Sequence, residues 1–245
     1  MSEPRFRVTV GAADVVGVLH LPDRPDGGPG PWPCVVACHG MGASKDSDKY
    51  LLLGRELPAA GLALARFDFR GSGESGGRHE EATIETRVAD LEGVLDHLAK
   101  RPELDGRFGL LGSSLGGFVA LWVAAARAGG VPLPVVTWNA PASLRELPGA
   151  DPATAGRALV TEVLRGERAE APAGVARVLV IQADRDEVVP PAHGHRLFER
   201  AALPRALHVI AGADHRLTDP DHRREALEQS RRWLRHHLAA QRTSP

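Results

Sequence analysis

The chain has 245 residues, a formal net charge of −1, 43% hydrophobic residues and 25% charged ones. These values are ordinary for a soluble globular protein. The balanced charge argues against a nucleic-acid partner, since gripping phosphates needs a clustered basic excess. At this length a single domain over residues 1–245 is expected, and it would bury roughly 70–75% of the unfolded chain's surface. No apolar run approaches the ~20 residues of a membrane-spanning helix. The first residues, Met1 to Arg7, lack the apolar stretch of a secretory signal. A cytoplasmic protein without a membrane partner is therefore expected.

Residues 5–11 and 15–21 read as two antiparallel strands with a tight turn near Ala12, Ala13 and Asp14. Residues 22–33, rich in proline and glycine, read as a surface loop. Residues 34–38 form a continuous apolar run, as in a strand buried on both faces. Cys34 and Cys38 share one face of that strand about 13 Å apart, too far to bond to each other. A zinc site lacks two further close ligands, so free buried thiols in a reducing compartment are expected. His39-Gly40-Met41-Gly42 ends the strand.

Residues 47–60 carry helical spacing at Tyr50, Leu53, Leu57 and Ala60 and stop at Gly61. Residues 62–67 are the next strand, leading into a glycine-punctuated loop from Asp68 to Gly77. An amphipathic helix over 85–101 follows, then a strand over 107–111 and an alanine-rich helical segment over 118–128. After a strand at 134–138, residues 140–174 break the rhythm and hold one short apolar-faced segment at Leu159, Val160, Val163 and Leu164. Strands at 178–181 and 207–210 bracket a helix over 191–202 with proline near its start. A closing helix over 221–240 turns Leu227, Leu234 and Leu238 inward, with Trp233 offset. No internal repeat or low-complexity stretch is present.

Strands alternating with helices at this spacing imply a mainly parallel sheet covered on both faces. Right-handed crossovers place the post-strand loops along one edge, where ligands bind in open α/β sheets. Ser114 lies on that edge within Gly112-Ser113-Ser114-Leu115-Gly116, a G-x-S-x-G turn between strand and helix that holds a hydroxyl exposed on a strained corner. Side chains at positions 112 and 116 would collide with the neighbouring strand and helix.

A serine hydroxyl needs a base within reach and a group to orient that base. Of eleven histidines, only His215 directly follows the last strand. His208 lies inside a strand, His193 and His195 open a helix, and His222, His236 and His237 sit on the closing helix. The preceding post-strand loop supplies Asp184 and Asp186. Asp186 is favoured as the acid by its later position and its spacing to Val189-Pro190, leaving Asp184 to cap or brace the loop and, if the chain turns there, Glu187 to point elsewhere. The backbone amides of Met41 and Leu115 are the candidate oxyanion donors, each such donor being typically worth ~10²–10³ in turnover.

On four segments the sequence resembles the α/β-hydrolase superfamily, in particular its small serine-aminopeptidase-like, monoglyceride-lipase-like and feruloyl-esterase-like members. These are His39 to Gly42; Arg66 to Ser75; Gly112 to Gly117; and Asp186 to Pro190 together with Gly212 to His215. The resemblance implies an α/β-hydrolase fold, with a mostly parallel sheet of roughly eight strands, helices on both faces and a minimal lid in residues 140–174. It implies Ser114 as nucleophile, His215 as base and Asp186 as acid, cleaving carboxylic esters through an acyl-enzyme with no cofactor or metal. The loop from Asp68 to Ser75 is chiefly structural in such proteins.

The chain departs from many relatives by carrying Ser113, not histidine, before the nucleophile, which should change the packing behind the turn. By position, Trp138 and Met41 are candidate pocket walls. A small ester-like molecule is the expected partner, with homodimer formation left open. Peptidase, thioesterase and acyltransferase chemistry remain alternatives on the same fold, as does a non-catalytic binding protein. Ser114 disfavours a dehalogenase, which would carry aspartate there, and a dienelactone hydrolase, which would carry cysteine. Arg223, Arg224, Arg231, Arg232 and Arg235 read as a solvated helix face in preference to a patch for an acidic partner.

Overall fold

The computed structural model describes residues 3–23, 31–147 and 155–240. Residues 24–30 of the expected surface loop and 148–154 of the expected lid lie outside them. An eight-stranded sheet forms the centre, in the order β1-β2-β4-β3-β5-β6-β7-β8. Strands β1 (Arg5–Val10) and β2 (Ala13–His20) make an antiparallel hairpin, and β2 pairs antiparallel with β4 (Ala63–Phe67). The rest run parallel: β3 (Trp32–Cys38), β5 (Leu104–Ser113), β6 (Val135–Trp138), β7 (Val178–Ala183) and β8 (Arg205–Ile210).

The alternation of side chains along β3 divides the core. Cys34, Val36 and Cys38 pack with α2 (Ile84–Leu98) and α3 (Leu115–Ala126). Val35 and Ala37 pack on the opposite face with α1 (Asp48–Ala59) and α6 (Pro220–Ala240). Both cysteines are buried free thiols, and burial pushes their pKa values up. A short helix, α4 (Arg157–Arg165), lies in the lid segment and buries Leu159. Helix α5 (Ala192–Arg200) connects β7 to β8. Among the described residues no helix is long and apolar enough to cross a membrane.

Several boundaries differ from the sequence expectation, and three of the differences have a plain physical reason. The hairpin turn sits at Gly11 and Ala12, because Gly11 takes the positive φ of 60°. Asp14 instead joins β2, where its carboxylate accepts from Thr9 Oγ1 at 2.8 Å and Arg7 Nη1 at 3.0 Å across the ladder. Helix α3 begins at Leu115, with Gly116 and Gly117 inside its first turn despite their weak helix propensity. Strand β8 starts at Arg205, and its position at the sheet edge leaves Arg205 to Leu207 only part-buried, so its apolar pattern is faint.

The chain reverses direction across the sheet between β3 and β5, since β4 lies on one side of β3 and β5 on the other. The carboxyl ends of β3 and β5 therefore flank a topological switch point, where a crevice opens in sheets of this kind.

Candidate active site

At that switch point β5 ends at Ser113 and α3 begins at Leu115, with Ser114 as the single joint between them. Ser114 has φ 53° and ψ −126°, a backbone conformation that normally costs a non-glycine residue about 1–3 kcal/mol. Its neighbours hold it there. Ser114 N–H donates to Trp138 O at 2.8 Å, while Ser114 O accepts from Gly117 N–H at 2.9 Å. A Cβ on Gly112 would lie 2.4 Å from the Gly116 carbonyl carbon, and one on Gly116 would lie 2.2 Å from Cys38 O. Only glycines let the start of the helix press this closely onto β3 and β5.

The turn after β3 packs against the same corner. A Cβ on Gly40 would come within 3.1 Å of both Ser113 O and Ser114 Cβ. His39 is buried, with Nδ1–H donating to Gly40 O at 2.8 Å and Nε2 accepting from Phe69 N–H at 3.0 Å. That pattern is one neutral tautomer, and burial, the largest cause, holds the His39 pKa down to about 4. Leu115 is the first residue of α3, so its N–H has no acceptor inside the helix. Neither the Met41 nor the Leu115 N–H donates to a protein acceptor among the described residues. Beside this turn lies an open cleft of about 440 Å³, lined by Gly42, Ser44, Ser47, Ser72 and His79 among others.

The acid and base candidates meet directly. His215 Nδ1 lies 2.8 Å from Asp186 Oδ2 and 2.9 Å from Oδ1. The Asp186 carboxylate is wholly buried, and its Oδ1 also accepts from the amides of Val188 at 2.9 Å and Val189 at 2.7 Å. Asp184 Oδ1 accepts from Gly212 N–H at 2.6 Å, joining the β7 and β8 loops away from the imidazole. Glu187 has no hydrogen bond to the imidazole. Its Oε2 accepts instead from the His215 backbone N–H at 3.3 Å. No hydrogen bond joins Ser114 Oγ to the His215 ring in this structure.

Two residues that no sequence pattern singled out organise these loops. Asn139, the residue after β6, adopts φ 52°, donates from Nδ2 to His215 O at 2.8 Å and accepts at Oδ1 from Ala183 N–H at 2.8 Å. It clamps the ends of β6 and β7 to the histidine loop. Its place just beyond a strand end was the one available signal. Lys49, on α1, donates from Nζ to Ser113 Oγ at 2.9 Å behind the corner. Desolvation pushes its pKa down to about 8, helped by Arg223 and Arg216 and opposed by Asp214 and Asp186. Trp138 is not a pocket wall. It faces the α6 side of the sheet, fully buried, and its Nε1–H donates to Ser230 Oγ at 2.9 Å. The in-register pairing of Trp138 with Ser113 puts both on that face, opposite the α3 side.

Residues 30–142 match the family model described as serine aminopeptidase, S33. The uncharacterized protein Rv2307c of Mycobacterium tuberculosis is 30% identical over 213 residues, spanning 84% of this chain and 70% of that protein. The human mitochondrial palmitoyl-protein thioesterase ABHD10 is 30% identical over 128 residues, which is 51% of this chain and 40% of that one. Among solved structures, Est1E from Butyrivibrio proteoclasticus with ferulic acid bound superposes with a TM-score of 0.79. The match covers 96% of this chain and 99% of that one at 18% identity, a likeness of fold.

Proposed function

We propose that this chain, which belongs to the α/β-hydrolase superfamily, is a serine hydrolase that cleaves small carboxylic esters. Ser114 is the nucleophile, His215 the base and Asp186 the acid that orients it. The observation that carries this reading is the His215–Asp186 hydrogen bond at 2.8 Å, on a loop that Asn139 ties to the end of β6, the strand beside the strained Ser114 corner, and to the end of β7.

Asp186 accepts a hydrogen bond from His215 Nδ1–H, which leaves Nε2 as the basic nitrogen. In the substrate complex Ser114 Oγ closes on Nε2, hands over its proton and bonds to the ester carbonyl carbon. Such contacts are often long without substrate and tighten in the complex. The carbonyl oxygen gains charge and takes hydrogen bonds from the Met41 and Leu115 amides, which the fold leaves without acceptors. The protonated imidazole then releases the alcohol, and water, activated by the same nitrogen, frees the acid.

Ser114→Ala is expected to abolish p-nitrophenyl butyrate turnover and labelling by a fluorophosphonate probe. Retained labelling in that variant would sink the assignment. Asp186→Asn should cost about 10⁴ in kcat, as the loss of an orienting aspartate does elsewhere, whereas Asp184→Asn should cost far less. The opposite ranking would exchange their roles.

A second reading, thioester hydrolysis, draws support from the similarity to the palmitoyl-protein thioesterase. It uses the same acyl-enzyme, so parallel ester and thioester panels of matched acyl groups decide between them. The free thiols of Cys34 and Cys38 suit work in a reducing compartment such as the cytoplasm.

A further inference from the structure

Arg87, in the first turns of α2, is 1% exposed. Its guanidinium makes no hydrogen bond or ion pair with any described residue; it lies over the Phe69 ring, 5.4 Å from the centroid. Its Nε is sealed from solvent without a partner. The two terminal amino groups have no partner either, yet are not sealed, so they border accessible space. Burial lowers the pKa to about 10, which leaves the group charged at neutral pH.

Two carboxylates lie near enough to favour that charge, Asp90 and Glu162. Both are committed elsewhere. Asp90 receives Arg70 N–H at 2.9 Å and the Arg70 guanidinium at 2.6 Å. Glu162, on α4, receives Ile84 N–H at 2.6 Å and Glu85 N–H at 3.0 Å. Enclosed cations are normally paired and hydrogen-bonded, because leaving water is costly. Here the fold encloses a cation and offers it no acceptor.

Its place gives that vacancy a meaning. Phe69, beneath the guanidinium, packs edge-on against His39 at 5.1 Å and donates its N–H to that ring. Gly40, next along, touches Ser114. Arg87 therefore lies between the candidate oxyanion turn and the lid helix α4, two ring contacts from the nucleophile.

We propose that Arg87 is the specificity-determining residue of this site and receives a carboxylate at the far end of the acyl group. The preferred substrates are then half-esters or half-thioesters of short dicarboxylic acids. The fork of two terminal amino groups matches the two oxygens of one carboxylate. A phosphate dianion would be met by the same single cation with Asp90 and Glu162 close by, so a monoanion fits better. The chemistry is unchanged: Ser114 takes the acyl group, the alcohol or thiol leaves with the proton from His215, and water releases the diacid. The proposal rests on the serine-hydrolase reading above.

The test compares kcat/KM for monomethyl glutarate and monomethyl adipate with methyl valerate and methyl hexanoate, following acid release at constant pH. The wild-type protein should favour at least one half-ester over its neutral counterpart by about tenfold or more, carried mainly by KM, as a hydrogen bond to a charged group allows. Arg87→Met should bring that ratio to about one, and Arg87→Lys should restore part of it. If Arg87→Met fails to fold, inhibition of the wild-type protein serves instead. Glutarate or adipate should then compete with methyl hexanoate at least about tenfold better than valerate or hexanoate does. A flat ratio in a wild-type protein that labels with fluorophosphonate overturns this proposal alone, as does a preference that survives in Arg87→Met. Absence of both labelling and ester turnover overturns the hydrolase reading and this proposal with it.

Discussion

Lys49 illustrates how one side chain can sit against a reactive corner without touching the reacting atoms. Its ammonium holds Ser113 Oγ, on the sheet face opposite α3, and desolvation takes its pKa from 10.5 to about 8. The folded value lies below the unfolded one. Between about pH 8 and 10.5 Lys49 therefore holds its proton in the unfolded chain and not in the folded one, and its own contribution to stability rises with pH across that window. Below it the folded protein bears the cost of a charged amine drawn out of water. Because Lys49 keeps some exposure, the full shift is discounted to ~2 kcal/mol. Urea unfolding at the two ends of the window should show the wild-type protein gaining stability relative to Lys49→Met, while the buried thiols of Cys34 and Cys38 pull both proteins down alike as their unfolded counterparts ionise. An unchanged difference between the two proteins would remove Lys49 as the cause. His39, held near 4 by burial, stays neutral throughout.

The lid helix is fastened by a contact between elements remote in sequence. Thr83 and Thr86 form a capping box at the start of α2. Glu162 of α4 then adds its carboxylate to the Ile84 and Glu85 amides, where the helix dipole also favours negative charge. Glu162 is itself buried enough for its pKa to rise. Glu162→Ala leaves two amides without acceptors and should cost ~1–3 kcal/mol in urea unfolding. It should also speed hydrogen exchange across Arg157–Arg165. Unchanged exchange would mean that apolar packing through Leu159 alone holds α4 in place. Residue 162 shows none of this in sequence, because the amides it serves lie 77 and 78 positions away.

The loops that build the site depend in turn on a buried charge network beyond it. Asp68, fully enclosed after β4, accepts from Lys45 N–H at 2.7 Å, Lys45 Nζ at 3.0 Å and Glu74 N–H at 3.0 Å. Arg66 donates from Nε to His20 Nε2 at 2.8 Å and from Nη1 to Lys45 O at 3.1 Å, bringing β2 into the same network. Asp68→Ala leaves the Lys45 and Glu74 amides without that acceptor, while Lys45 Nζ keeps Asp46 at 2.8 Å. At roughly 1–3 kcal/mol for each unsatisfied amide it should lose ~2–6 kcal/mol, lowering the thermal midpoint by about 4–24 °C for a chain of this size. A scanning-calorimetry midpoint within a degree or two of wild type would show that the network contributes little. The structural reading of the loop from Asp68 to Ser75 rests on these bonds.

Whatever depends on neighbouring residues was legible in the amino-acid order. Buried runs such as residues 34–38, the helical spacing of Tyr50, Leu53 and Leu57, and the glycines around Ser114 are local steric facts, so strand, helix and strained corner could be read before any coordinates. Glycine and edge exposure blurred the boundaries of α3 and β8. What needed the folded molecule was pairing across distance. Register in the parallel sheet sends Trp138 to the α6 face beside Ser113, away from the side a substrate would use. The same folding brings Asn139 between Ala183 and the His215 loop, Lys49 onto Ser113, and Arg87 into an enclosure that gives its guanidinium no hydrogen-bond acceptor among the described residues. Side-chain type and local spacing do not encode such partnerships, because a partner is chosen by which strands lie adjacent and how they are aligned, and that is decided only when the sheet closes over its core.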